Sequence, residues 1–235
     1  MSLFSDPASV ARYAEGPVRM VPGFHHLQRM AALLLAERVD TDGRVLVLGA
    51  GGGLELKAFA EFQPGWRFDG VDPSAEMLHL AKRTLGPLAS RVRLHEGTID
   101  VAPDGPFDGA TCLLTLHFLP REERLRTLIA LRRRLRTGAP FAVAHHSFPQ
   151  DPERKALWLE RFAAFAVMSG VPAAQMPGAI AAIGDRLPAL SPEDDEALLR
   201  EAGFEDVALF YAGFTFRGWI AYAPDPVPKV AGRTL

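Results

Sequence analysis

The chain has 235 residues, 48% hydrophobic and 23% charged, with a formal net charge of −2 and one cysteine, Cys112. That length fits one α/β domain with insertions, and that balance suits a globular chain. The small charge excludes a strong overall field for nucleic acid or anionic membrane, no run approaches the roughly 20 apolar residues of a membrane span, and one thiol excludes an internal disulfide framework.

A lone thiol fits a reducing compartment, and the opening MSLFSDPASVARYAEGP lacks the basic-then-apolar layout of a secretion signal, so a cytoplasmic location is expected. Residues 1–40 read as a helical cover. A short helix is expected near Ser9 to Glu15, then an irregular segment, RMVPGFHH, broken at Pro22 and Gly23, then a helix from Leu27 to Arg38.

The stretch VLVLGAGGG follows. Val45 to Leu48 has the length and β-branching of a buried parallel strand. Gly49, Gly51 and Gly53 let the backbone turn tightly and let a ligand approach it, and the helix from Leu54 to Phe62 aims its free N–H groups into the turn. This builds a nucleotide-type site at the carboxyl end of the first strand.

Strand two runs from Trp66 to Asp72, and Ser74 caps a helix that Gly86 stops. Strand three is Arg91 to Gly97, strand four is Phe107 to Phe118, a helix covers Arg121 to Arg136, and strand five is Pro140 to Phe148. Strands alternating with crossover helices imply a mostly parallel sheet, covered on both faces. After the core at 41–148 comes a helical insertion at 149–192, with helices over Pro152 to Ser169 and Gly178 to Arg186. Residues 193–223 hold a last helix, Glu193 to Ala202, capped by Ser191, and two strands, Asp206 to Ala212 and Phe214 to Ala223. Ala212 and Gly213 are expected to join those strands as an antiparallel hairpin. The proline-rich tail, 224–235, reads as extended or loose.

Asp72 lies about 20 residues past the glycine turn, where an acid accepts hydrogen bonds from both ribose hydroxyls of a nucleoside. The plainer reading is a helix cap before Pro73; beside the glycine turn the ribose reading is favoured.

VLVLGAGGG, GVDPSAEML, HEGTID and FDGATCLLTLHFL together resemble the successive motifs of class I S-adenosylmethionine-dependent methyltransferases over Val45 to Ser147. The resemblance implies an α/β, Rossmann-like, doubly wound, seven-stranded, mostly parallel sheet with an antiparallel last strand, and S-adenosylmethionine as cofactor. It places the methionine part against Gly49, Ala50, Gly51 and Gly53, and the ribose on Asp72 with Pro73 and Met77. Thr98 and Ile99 would bracket adenine, and Leu113, Leu114 and Thr115 would lie under the sulfonium. Two positions depart from the pattern. Val47 stands where the family carries an acid, so the methionine ammonium needs backbone carbonyls or Glu55 instead. Thr98 stands where an aspartate often holds adenine, with Asp100 two places on.

RMVPGF, TLHFLP, the insertion, EALLREAGF and the closing hairpin resemble, more narrowly, the carboxy-S-adenosylmethionine synthases of tRNA wobble-uridine modification. That resemblance implies a cofactor cover bearing Arg19 and Phe24. The arginine that grips the added carboxylate in that family is Leu198 here, and Arg19 and Arg200 are the nearby cations that could replace it. The architecture is therefore inferred without the carboxyl transfer.

Methyl transfer is an in-line displacement that rests largely on positioning. His117, after strand four, and His145 and His146, ending strand five, are the candidates to act as base or to orient an acceptor; strand-end histidines are also common structural hydrogen-bonders. His25, His26 and Tyr13 in the cover are weaker candidates. Adjacent His145 and His146 point to opposite faces of a strand, so no metal site is expected.

Trp158, Phe162, Phe165, Met168 and Met176 suit a lid over an apolar acceptor, a helix core or a homodimer contact. The arginines between 121 and 136 read as a solvated face, with tRNA binding as the alternative. A nicotinamide dinucleotide is disfavoured, because its fingerprint wants glycine where Leu54 stands. The expected activity is methyl transfer to a small-molecule acceptor, with a carboxy-S-adenosylmethionine synthase relative or a non-catalytic cofactor-binding protein as alternatives.

Overall fold

A computed structural model of the protein describes residues 15–224. Helices α1 (Glu15–Met20) and α2 (Phe24–Ala36) precede strand β1 (Arg44–Leu48). Then follow α3 (Leu54–Phe62), β2 (Arg67–Asp72), α4 (Ala75–Leu85), β3 (Val92–Glu96), β4 (Gly109–Leu113), α5 (Arg121–Arg132) and β5 (Pro140–His146). The described chain closes with α6 (Pro152–Met168), α7 (Met176–Ala181), α8 (Pro192–Glu201), β6 (Glu205–Gly213) and β7 (Phe216–Tyr222).

These seven strands form one sheet in the order β3-β2-β1-β4-β5-β7-β6. β1 to β5 run parallel, and β7 is antiparallel to both β5 and β6. The strand order reverses at β1, and the crevice above such a switch point is where open α/β sheets bind ligands. β1 shows why the sheet is covered twice. Its side chains alternate, so Val45 and Val47 join a core with Leu27, Leu56 and Phe59. Leu46 and Leu48 join the opposite core, with Leu128, Leu131 and Leu198.

Ser74 caps α4 as expected, accepting the Met77 N–H at 3.2 Å, and Ser191 caps α8, accepting the Asp194 N–H at 3.1 Å. Several expectations need correction. The segment read as irregular is helical except at Val21, Pro22 and Gly23: it holds the end of α1 and the start of α2, which begins at Phe24 rather than Leu27. β4 ends at Leu113, not Phe118, because Leu114 adopts a left-handed φ of 59° and a 3₁₀ turn follows over Leu116–Phe118. Arg121–Arg132 is shorter than expected, because the turn that follows it bonds to Phe107, which donates its N–H to the Arg134 carbonyl and accepts the Arg136 N–H. The closing hairpin turns at Phe214 and Thr215, since Gly213 already pairs with Phe216 in the ladder. All but the last residue of the helix expected near Ser9 to Glu15, Tyr13 included, and the tail from Asp225 lie outside the described residues. Among the described residues, no helix is long and apolar enough to cross a membrane.

Candidate cofactor site

A cavity of about 480 Å³ opens over the carboxyl ends of β1, β2 and β4. The glycine turn contributes Gly49, Ala50 and Gly51 to its wall, and α3 contributes Leu54 and Glu55. Gly49 has φ 76°, and a Cβ there would collide with Thr115, so this bend admits only glycine. Gly53 has a different task. It stands outside the cavity wall as the N-cap of α3, and a Cβ on it would come within 2.8 Å of the Ala81 backbone on α4.

From the end of β2 and the start of α4 come Asp72, Pro73, Ser74 and Met77. The Asp72 carboxylate is fixed by the backbone: one oxygen accepts the Gly51 N–H at 2.9 Å and the other the Ser74 N–H at 3.0 Å. These bonds span the crevice lip and leave each oxygen a further lone pair. Burial pushes the Asp72 carboxyl up, and the two backbone donors oppose that shift. Asp72 thus lines the wall, while the cap of α4 is Ser74, whose own N–H Asp72 accepts.

The floor is Leu113, Leu114 and Thr115, where β4 breaks off. The left-handed Leu114 redirects the chain, so Phe118 and Leu119 turn back over the same cavity. Phe24 and Gln28, from the first turns of α2, close the opposite side. Tyr211 on β6 anchors this cover by donating its hydroxyl to the Pro22 carbonyl at 2.7 Å.

Two polar residues in the wall are nearly inaccessible, Gln28 (3% exposed) and Glu55 (7%). Glu55 accepts a short hydrogen bond from the Thr111 hydroxyl on β4. Burial pushes its carboxyl up to about 8, with the Thr111 bond opposing. Among the described residues, the wall contains no Lys, Arg or His. Gln28, Phe118 and Leu119 went unnoticed as site residues in the sequence. Gln28 is the one polar side chain on the buried face of α2, and that oddity was the available signal.

The other expected site residues fall elsewhere. Thr98 donates its hydroxyl to Asp100 at 3.2 Å, and Ile99 packs into the core with Leu46 and Leu48. Neither lines the cavity, and neither does Arg19. The three histidines are buried and outside the wall, contrary to the expectation that they open onto it. His145 and His146 do point to opposite sides of β5: His145 sits 3.1 Å from the Asp195 carboxylate, and His146 bonds Thr215 at 3.0 Å and stacks on Phe216. His117 lies on the 3₁₀ turn, and its Nδ1 accepts the His146 backbone N–H at 3.2 Å. Burial holds the His117 imidazole well below its usual range and brings His146 down to about 3, with neighbouring histidines adding to both shifts. His117 is therefore neutral, with its proton on Nε2.

A family model described as a methyltransferase domain matches residues 45–138. "Probable methyltransferase ltbC" of Aspergillus luteorubrus is 29% identical over 216 residues, 81% of this chain and 70% of that protein. The carboxy-S-adenosyl-L-methionine synthase of Chromohalobacter salexigens is 25% identical over 221 residues, 92% of this chain and 82% of that protein. Among solved structures, human N-acetylserotonin methyltransferase in complex with SAM superposes with a TM-score of 0.58 at 15% identity. That match covers 96% of this chain but 61% of the longer one.

Proposed function

Residues 45–138 form a class I S-adenosylmethionine-dependent methyltransferase domain, and from that premise we propose that the chain transfers the cofactor's methyl group to a small apolar acceptor. The single observation that carries this reading is one cavity whose walls join the glycine bend, the backbone-held Asp72 carboxylate and the floor at Leu113 to Thr115. Those residues fit the cofactor: Asp72 has lone pairs for two ribose hydroxyls, and glycine at 49 lets the bend pack directly against Thr115 of the floor. Pro73 and Met77 supply apolar wall beyond the ribose. When bound, the cofactor supplies an electrophilic methyl group on a sulfonium, whose departure as a neutral thioether demands little of the protein beyond alignment.

Phe24, Phe118 and Leu119 then exclude water and offer an apolar entrance to an acceptor. His117 is buried outside the cavity wall with its Nδ1 taken by the His146 N–H, so it does not act on an acceptor as a base. The acceptor accordingly brings its own lone pair or loses its proton to water. His145 and His146 act in packing, one against Asp195 and one against Phe216.

The test is titration calorimetry with S-adenosylmethionine and S-adenosylhomocysteine. Both bind the wild-type chain, and Asp72→Ala weakens both on the order of 100-fold, the loss of two charge-assisted hydrogen bonds. Absence of binding at millimolar ligand overturns the reading. Transfer of labelled methyl to any member of an apolar acceptor panel separates an enzyme from a non-catalytic binding protein.

The second reading, a carboxy-S-adenosylmethionine synthase, draws on the relatives of that name. It asks for a cation beside the added carboxylate. Leu198 is buried in the core, Arg200 bonds Glu196 at 3.0 Å, and among the described residues the cavity wall holds only acids as ionisable groups, which favours the methyl-transfer reading. Mass spectrometry of ligand co-purified with the protein distinguishes the two by the mass of a carboxyl group.

A further inference from the structure

Asp72 and Glu55 stand on the two flanks of the switch-point crevice. Asp72 ends β2, on one side of β1. Glu55 reaches from α3 to Thr111 on β4, on the other side. Thr111 is the register partner of Val47, so both side chains share one face of the sheet, and Glu55 is brought over that seam. Thr111 is the only side-chain partner of the Glu55 carboxyl among the described residues.

A carboxyl group 7% exposed, with one hydroxyl donor and, among the described residues, no basic side chain in the same wall, is incompletely compensated. A small cationic group entering the cavity would complete it. S-adenosylmethionine carries such a group, the α-ammonium of its methionine part. We propose that Glu55 is the counter-ion of that ammonium, and that the chain sheds a proton to solvent as the pair forms. The proposal rests on the cofactor assignment above.

The proton balance is simple. In the free protein the Glu55 carboxyl is protonated at neutral pH, because burial raises it to about 8. On binding it ionises, its proton leaves to buffer, and the carboxylate pairs with the incoming ammonium, which keeps all three of its protons. The free N–H groups at the start of α3 also favour the ionised form. The other titratable groups facing Glu55 do not compete for this proton. The Cys112 thiol on β4 is pushed far up by burial and by the Glu55 charge itself, Asp72 lies across the cavity, and Gln28 on α2 is uncharged.

Two ligands test this: S-adenosylhomocysteine and its deaminated analogue, which lacks only the α-amino group. Calorimetry at pH 7 in two buffers of different ionisation enthalpy counts protons. The wild-type chain should release about one proton with S-adenosylhomocysteine and none with the deaminated analogue. Glu55→Gln, which keeps a hydrogen bond to Thr111, should weaken S-adenosylhomocysteine roughly 10- to 100-fold and leave the deaminated analogue within about twofold. Equal weakening of both ligands, or no proton release by the wild-type chain, overturns the proposal while the cofactor assignment stands. Binding of neither ligand to the wild-type chain overturns both. If Glu55→Gln does not fold, the wild-type proton count decides.

Discussion

Glu55 illustrates how one side chain couples site and stability. Its folded form holds a proton more tightly than the unfolded chain does, with an ordinary value of 4.5 raised to about 8. Folding stability is therefore greatest at low pH for this group and is lost as pH rises from 4.5 through 8. His117 and His146 act in the opposite direction. Their folded values are depressed, so their contribution is complete above the ordinary 6.5 and is lost as pH falls below it. From pH 6.5 to 8 the unfolded-state histidines lose their remaining protons, so their opposing slope fades and Glu55 comes to set the slope among these three. Urea unfolding of the free protein should show a net loss of about 1 kcal/mol across that window, and Glu55→Gln should remove that loss. An unchanged slope in the variant would contradict the assignment of this carboxyl as a neutral buried acid.

Legibility at this scale followed chemistry rather than position. Asp72 was readable because a carboxylate one strand after a glycine bend has few reasons to be there. Gln28 was not, because an amide within an apolar helix face has meaning only once the neighbouring wall is known. The histidines failed as site residues for a related reason. Strand ends usually open to the crevice, but here α6 and α8 supply Phe162 and Asp195, which cover those ends.

The arginines between 121 and 136 show the same lesson for an element. Arg124 is fully buried and meets Asp195 of α8 at 2.5 Å, while its other nitrogen bonds the Pro188 carbonyl at 3.0 Å. Arg121 pairs with Glu201, Arg126 with Asp100, Arg136 with Asp108, and Arg132 and Arg134 bond backbone carbonyls. The helix read as a solvated basic face is thus fastened through its arginines to α8 and to the loops beside it. Asp195→Ala leaves the Arg124 charge buried and unpaired, so it should cost about 3 to 5 kcal/mol in chemical unfolding. Arg121→Ala breaks an ion pair whose partners are each about half exposed, and should cost less than about 1 kcal/mol. Similar costs for both would mean that the buried pair is not what holds α5 to α8. Helix caps were legible because Ser74 and Ser191 act on N–H groups three residues away. The break in β4 was not: nothing local to a leucine announces a positive φ, and the bond from the Leu114 N–H to the Ala144 carbonyl arises only when β5 is in place.

For the molecule as a whole, the cavity joins elements far apart in the chain: α2, the turn after β1, the end of β2 and the turn after β4. A ligand that binds there binds only the folded chain. S-adenosylhomocysteine at 100 times its dissociation constant should stabilise the protein by about 2.7 kcal/mol, a rise in Tm of about 5 to 10 °C. Asp72→Ala at the same ligand concentration should show little of that rise. Thermal scans with and without ligand measure both, and an equal rise in the variant would place the ligand away from Asp72.

Periodicity, glycine placement and capping residues were enough to determine the strands, their alternation with helices and the acid beside the bend. Each of these depends on groups within a few residues or on the short repeat of a strand or helix, so the order of amino acids carries it directly. Which faces of the histidines are covered, where Gln28 and Glu55 converge and how the arginines are spent depend on contacts between elements distant in the chain. Those contacts exist only after the sheet has closed and the helices have packed, so tertiary structure decided that Gln28, Phe118 and Leu119 join the wall and that, among the described residues, the histidines and arginines do not.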